Sequence, residues 1–225
     1  MVVVGLDGFR GGWVAVLMDG AARELHFLGT LEELSSLRFD RAAIDMPIGL
    51  PDSGSRHCDI EARRLLGAHR SRVFTGARRS LLGFSFQAEA NTVLKQRREA
   101  GVSVQLWNLV PKIREVDDFI SRHPKADLRE AHPELVFLRL NGNVPLPSKK
   151  EPEGIDLRCA ILGRAGFDQL KTWLTQTKRG TGAKADDVLD ACAVAIAARD
   201  FDQGHVVPQG DPPSDTKGLP MRIWY

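Results

Sequence analysis

Four aspartates stand where the surrounding residues make a free carboxylate costly. Asp190 lies one turn inside residues 186–199, a segment in which nearly every other residue after Asp187 is apolar. An unpaired carboxylate buried there costs several kcal/mol in desolvation, so Asp190 needs a cation, either a side chain or a metal. Asp187 precedes it by three residues and projects from the same helix face. Asp7 closes the β-branched run 2–6, and Asp45 sits in the apolar run 42–46 just ahead of Pro47, Gly49 and Pro51. Taken singly, each acid also has an ordinary structural use. Asp7 suits a turn, and Asp186 and Asp187 suit a helix first turn, where the dipole gives about 0.3–1 kcal/mol.

Brought together, the four would repel unless neutralised. Oxygen donors without His or Cys favour Mg²⁺ or Mn²⁺ over zinc. Two such ions held roughly 3.5–4 Å apart serve phosphoryl displacement by activating water and stabilising the leaving oxygen.

The elements that would position these acids follow from periodicity. Residues 2–7 alternate as a strand, residues 8–12 turn the chain, and residues 13–18 and 24–28 are two more strands about a turn at Asp19 and Gly20, which makes an antiparallel meander. Thr30 with Glu33 is a capping box opening a short helix, after which residues 42–46 form a fourth strand that can run parallel to the first. Helices are expected at 59–66, 87–100 and 111–120, the last with Pro111 in its first turn. A fifth strand at 127–131, a helix at 133–140, a loop at 141–154, one or two helices over 155–174 and the acidic helix 186–199 complete the order, with a final strand near 221–225. This is an α/β layer architecture with a mixed sheet. The expected organisation is a single domain over 1–225 with a helical insertion at about 52–124.

Composition narrows the class. With 31 basic and 29 acidic residues the formal charge is +2, too small to imply a nucleic-acid or membrane partner by itself. Cys58, Cys159 and Cys192 are widely spaced, which gives neither a disulfide framework nor a zinc motif and fits a reducing compartment. The opening apolar run is interrupted by Asp7 and Arg10, unlike a signal peptide, and no run approaches the roughly 20 residues of a membrane helix. The expectation is a cytoplasmic protein with no membrane partner.

The succession of residues 3–7, then 44–51, then 186–191 resembles RNase H-like nucleases, and the last segment is similar to the helix of RuvC-type resolvases. Residues 105–113 with Glu115 and Asp117, and the run Glu130-Ala-His-Pro-Glu134, resemble the domain-of-unknown-function family four-two-nine, itself predicted to be RNase H-like. The likeness spans most of residues 2–198 and departs from the family pattern at Thr75 and Val136. It implies an RNase H-like mixed sheet, three antiparallel strands plus parallel ones with flanking helices. It also implies Asp7, Asp45, Asp187 and Asp190 as catalytic metal ligands, with Glu130 or Glu134 adding an acid. RuvC-type resolvases act as dimers, so a homodimer stays open.

Between residues 62 and 88 there are six arginines, Arg63, Arg64, Arg70, Arg72, Arg78 and Arg79, and no acid. Phosphate-backbone binding is one reading and a solvated face the other. Lys149, Lys150 and Lys184 fall in loops; Lys184, just before the acidic helix, is a candidate for holding a phosphate or steadying water. Trp107 reads as a core anchor, and His57, His69 and His132 show no metal spacing.

The leading expectation is a metal-dependent nuclease of DNA or RNA. The alternatives are a small-molecule phosphotransferase of the sugar-kinase or actin-like class, against which the absence of a P-loop motif weighs, and a non-catalytic protein that binds metal and nucleic acid.

Overall fold

Alternating β-branched residues build the first three strands. The computed structural model describes residues 1–177 and 181–225, and in it β1 (Val2–Phe9), β2 (Gly12–Asp19) and β3 (Ala22–Leu28) form the expected meander. Pairing persists to Phe9 and Gly12, so the first hairpin turns on Arg10 and Gly11 alone. The second turns on Gly20 and Ala21, one residue later than expected. The capping box opens a 3-10 turn over Leu31–Ser36, where the Thr30 N–H donates to Glu33 Oε1 at 3.1 Å.

Next come β4 (Arg41–Ile44), α1 (His57–Leu66), α2 (Gln87–Gln96) and α3 (Val104–Arg122). They are followed by β5 (Leu128–Glu130), α4 (Pro133–Leu140), α5 (Pro152–Arg164), α6 (Leu170–Thr177) and α7 (Ala185–Arg199). Two short strands, β6 (Val206–Val207) and β7 (Ile223–Trp224), close the order. The two largest boundary shifts from the periodicity are in α2 and α3. α2 stops at Gln96 because the chain turns at Arg98, whose φ is +58°. α3 begins seven residues before Pro111, because the Ser103 hydroxyl accepts the Leu106 N–H at 3.2 Å and caps the first turn. Pro111 thus lies inside the helix.

The chain divides into two compact units. The first comprises Met1–Met46, His123–His205 and Trp224–Tyr225, and holds a five-stranded sheet of order β3-β2-β1-β4-β5, in which β4 and β5 run parallel to β1. One face of this sheet, with Val3, Val14, Val16, Met18 and Ala43, packs on α7, whose residues 188–198 are all buried. Each fully buried Val, Leu or Ile contributes about 1.5–3 kcal/mol relative to exposure. Gly5 belongs to the same face, and a Cβ on it would stand 2.2 Å from both Ala191 O and Ala195 N. The helix therefore rests on the strand main chain to main chain, which only glycine permits.

The second unit, Pro47–Arg122 with Val206–Ile223, is mainly helical. Its interior ties are ionic as well as apolar. Buried Arg56 and Asp59 pair at 2.5 Å, and the Arg56 guanidinium also donates to Ile48 O at 3.1 Å. Asp215 accepts the N–H groups of Leu50, Lys217 and Leu219 together with the guanidinium of Arg79, and the Lys217 ammonium donates to Asp117 at 2.7 Å, so two carboxylates fasten residues 206–223 to the rest of the unit. Among the described residues no helix is long and apolar enough to cross a membrane, and all three cysteines are free thiols.

Candidate active site

Strand register brings the first two acids together. Leu6 and Ile44 are partners across β1 and β4, and the Asp45 N–H donates to Leu6 O at 2.9 Å. Asp7 and Asp45 are each the next residue, so both point to the sheet face on which α7 lies. Asp7 Oδ1 also accepts the Gly8 N–H at 2.9 Å. Because Gly5 seats Ala191 and Ala195, the first turns of α7 reach Asp7 and deliver Asp187 and Asp190 there. The four aspartates singled out in the sequence share one end of the sheet.

The remaining candidates separate. Glu130 is the register partner of Ile44, which puts it on the opposite face from Asp7 and Asp45, and Ala131 takes the inward position. Glu134 lies in the first turn of α4, and both its oxygens are held by Arg158, at 2.8 and 3.0 Å. Asp187 accepts the Lys184 N–H at 2.6 Å and so caps its own helix. Lys184 itself is exposed.

The lysine that meets the acids is Lys149. Its ammonium donates to Asp190 Oδ2 at 2.5 Å and lies 3.4 Å from Asp186. Asp190 is 2% exposed, and its other oxygen, Oδ1, is buried without a hydrogen-bond partner. The cation that Asp190 requires is thus partly supplied by a side chain, and one oxygen is left over.

Electrostatics record the crowding. Burial, then Asp45 and Asp190, push the Asp7 carboxyl well above the ordinary carboxylate value. Burial pushes Asp45 up to about 7, with Lys149 opposing and Glu134 adding to the rise. Asp190 also reaches about 7, chiefly from burial, with Lys149 lowering it and Asp45 and Glu134 raising it. Burial raises Asp187 too. For Lys149, burial pulls the ammonium down, but Asp190, Asp7 and Asp186 outweigh it and hold it above the ordinary lysine value. Asp7, Asp45, Asp190, Asp187, Glu134 and Lys149 are therefore one electrostatic group.

The donors are hard oxygens, the class that suits Mg²⁺ or Mn²⁺, and Asp190 Oδ1 is buried without a hydrogen-bond partner. Among the described residues, however, no three His, Cys, Asp or Glu side chains stand close enough to enclose a metal as they are placed.

Sequence reasoning noted Lys149 only as a loop lysine and missed Arg158, although two signals pointed to them. Asp190 demanded a cation, and Gly154, Arg158, Ile161 and Leu162 form the buried stripe of α5, which places an arginine among core positions.

The arginines of residues 62–88 are in the second unit and do not act alike. Arg78 is buried and bonded to Glu99 at 2.6 Å and to Ala100 O at 3.0 Å. Arg79 binds Asp117 and Asp215. These two serve the fold rather than a surface. Arg64 and Arg70 are exposed, Arg72 is half-buried, and half-buried Arg63 donates to Val73 O at 3.3 Å.

Residues 5–214 match the model of a family described as protein of unknown function (DUF429). The chain belongs to that family. No curated protein and no solved structure matches it. In this member, the matched span contains all four aspartates, Glu134, Lys149 and Arg158.

Proposed function

We propose that this DUF429 member is a metal-dependent nuclease that hydrolyses phosphodiester bonds of DNA or RNA in the cytoplasm. The observation that carries the reading is Asp190 Oδ1, a buried, partnerless oxygen amid convergent carboxylates. Asp7, Asp45 and Asp190, with Asp187 at the rim, would hold Mg²⁺ or Mn²⁺. The chemistry supplied by such an ion is charge neutralisation and Lewis-acid polarisation of a phosphodiester. Resemblance of the three acidic segments to RNase H-like nucleases points the same way.

The residues have distinct tasks. Asp7 and Asp45 offer carboxylates from rigid strand ends, where main-chain pairing fixes their spacing. Asp190 brings the helix to them. Arg158 keeps Glu134 from joining as a free acid. Exposed Arg64 and Arg70 are the arginines of this run that a phosphate backbone would meet.

The test is cleavage of labelled single-stranded, duplex and branched DNA, RNA and hybrid substrates with Mn²⁺ or Mg²⁺. Wild type should cut at least one class, while Asp7→Asn and Asp190→Asn should lose cleavage and remain folded. Variants that cut as well as wild type overturn the assignment. Failure of all substrates, with thermal stabilisation by ATP and Mg²⁺, would favour a small-molecule phosphotransferase instead.

A further inference from the structure

Lys149 sits in the loop between α4 and α5, yet that loop is fastened on both sides of it. Arg158 Nη1 donates to Pro147 O at 3.0 Å and to Gly154 O at 2.8 Å. The Glu151 N–H donates to Ser148 O at 3.0 Å, and the Lys150 N–H to the Ser148 hydroxyl at 3.2 Å. Gly154 presses on Ser148 O so closely that a Cβ would stand 2.1 Å from it. Arg158 is in turn locked by both oxygens of Glu134. A chain of contacts from Glu134 through Arg158 to Pro147 thus sets where the lysine stands.

An ammonium has three N–H donors and no acceptor. Asp190 Oδ2 takes one at 2.5 Å, and Asp186 lies 3.4 Å away to face a second. The side chain is 34% exposed, so the third donor is left to whatever arrives from solvent. Cations flank that approach. Lys184 is exposed at the N-cap of α7, Arg10 is exposed on the turn of the first hairpin, and among the described residues neither has an ion-pair partner. These two segments adjoin, since a Cβ on Gly182 would stand 3.8 Å from the Phe9 ring. An anion that reaches this end of the sheet therefore meets cations as well as carboxylates.

We infer that Lys149 contacts a non-bridging phosphate oxygen of the substrate strand, and that Glu134 and Arg158 are positioning residues that act through Pro147 to hold it there. The inference rests on the proposed phosphodiester substrate, names the residue of the acidic centre that binds it, and requires no metal ion. An ammonium is a compact point charge on a flexible stem, and a charge-assisted bond from it to a phosphate oxygen is stronger than a neutral one. Such a contact is made to the backbone, so it serves DNA and RNA alike.

The experiment measures fluorescence anisotropy of labelled single-stranded and duplex DNA and RNA oligonucleotides on the full chain in EDTA, over a range of salt concentrations. Wild type should bind at least one class. Lys149→Met should weaken that binding several-fold and reduce the salt slope by about 1, while Lys149→Arg should retain both. Because Lys149→Met strips Asp190 of its cation, the same substitution is also made in Asp190→Asn and compared with Asp190→Asn alone, where no buried charge is left unpaired. Replacing the positioning pair by apolar residues, Glu134→Leu with Arg158→Met, should cost as much affinity as Lys149→Met, and adding Lys149→Met to it should cost nothing more. Unchanged affinity and salt slope on loss of Lys149 overturn the inference while leaving the nucleic-acid reading standing. Wild-type affinity in the Glu134→Leu, Arg158→Met protein overturns the positioning role. No binding of any oligonucleotide by wild type at low salt overturns the nucleic-acid reading itself, and the inference with it.

Discussion

Arg158, fully buried on α5, holds both carboxylate oxygens of Glu134 on α4. Replacing Glu134 by alanine leaves that guanidinium charge in the interior without its carboxylate, which costs about 3–5 kcal/mol when a buried pair is broken. Glu134→Gln keeps an acceptor and should lose less. Urea unfolding of both variants checks the order, and a loss below about 1 kcal/mol for Glu134→Ala would show that the pair is dispensable to the fold.

Metal-free stability should fall as pH rises. Asp45 and Asp190 titrate at about 7 in the folded chain against about 3.9 unfolded. Between those values the folded state binds more protons than the unfolded one, so folding weakens from about pH 4 to about pH 7. On the proposed reading a divalent ion would compete with those protons, so its stabilising effect should be larger at pH 8 than at pH 5. Melting curves at both pH values, with EDTA or with Mn²⁺, test the sign; stability in EDTA that rises over this range would contradict it.

Asp7→Asn should stabilise the metal-free protein at pH 8. It removes a charge that Asp45, Asp190 and Asp187 oppose, and the new amide oxygen can still accept the Gly8 N–H. A gain of about 1 kcal/mol corresponds to roughly 2–4 °C in a chain of this size. A lower melting temperature in EDTA would mean that the carboxylate has a favourable partner.

Gly5→Ala should be among the most damaging single-methyl additions. Overpacking commonly costs about 1–3 kcal/mol, and here the obstacles are the main chain of Ala191 and Ala195, which cannot rotate away. The fall in the urea midpoint should be accompanied by loss of Mn²⁺ affinity, since a lifted α7 carries Asp190 with it. Unchanged affinity in a destabilised variant would separate the two effects.

For nucleic acid, Arg64→Ala and Arg70→Ala should each weaken binding and reduce the salt slope by about 1, whereas Arg78→Ala should instead lower stability by breaking its bond to Glu99. Filter binding across salt concentrations distinguishes these outcomes.

Asp7, Asp45 and Asp190 were legible because each ends or interrupts an apolar run, which is a local property, and Asp187 because it lies three residues from Asp190 on the same helix face. Asp190 even announced its need for a cation. Which cation it was could not be read, since Lys149 lies 41 residues away in a loop without periodicity. Its seat depends on the missing side chain of Gly154. Arg79 shows the same limit: its partner Asp215 is 136 residues distant, so a charge run that looked like surface was half interior. The meander, the parallel fourth strand and the burial of α7 followed from alternation and length. The start of α3 did not, because proline's preference for a first turn outweighed the weaker signal of Ser103.

The order in which the centre's parts leave the ribosome has a consequence of its own. Asp7 and Asp45 emerge early on paired strands, Lys149 much later, and Asp187 and Asp190 later still on α7. A nascent chain carrying only the strands displays two carboxylates at one sheet end with neither the helix nor the lysine to complete them. The acidic centre is therefore complete only once α7, the last long helix of the chain, lies on Gly5.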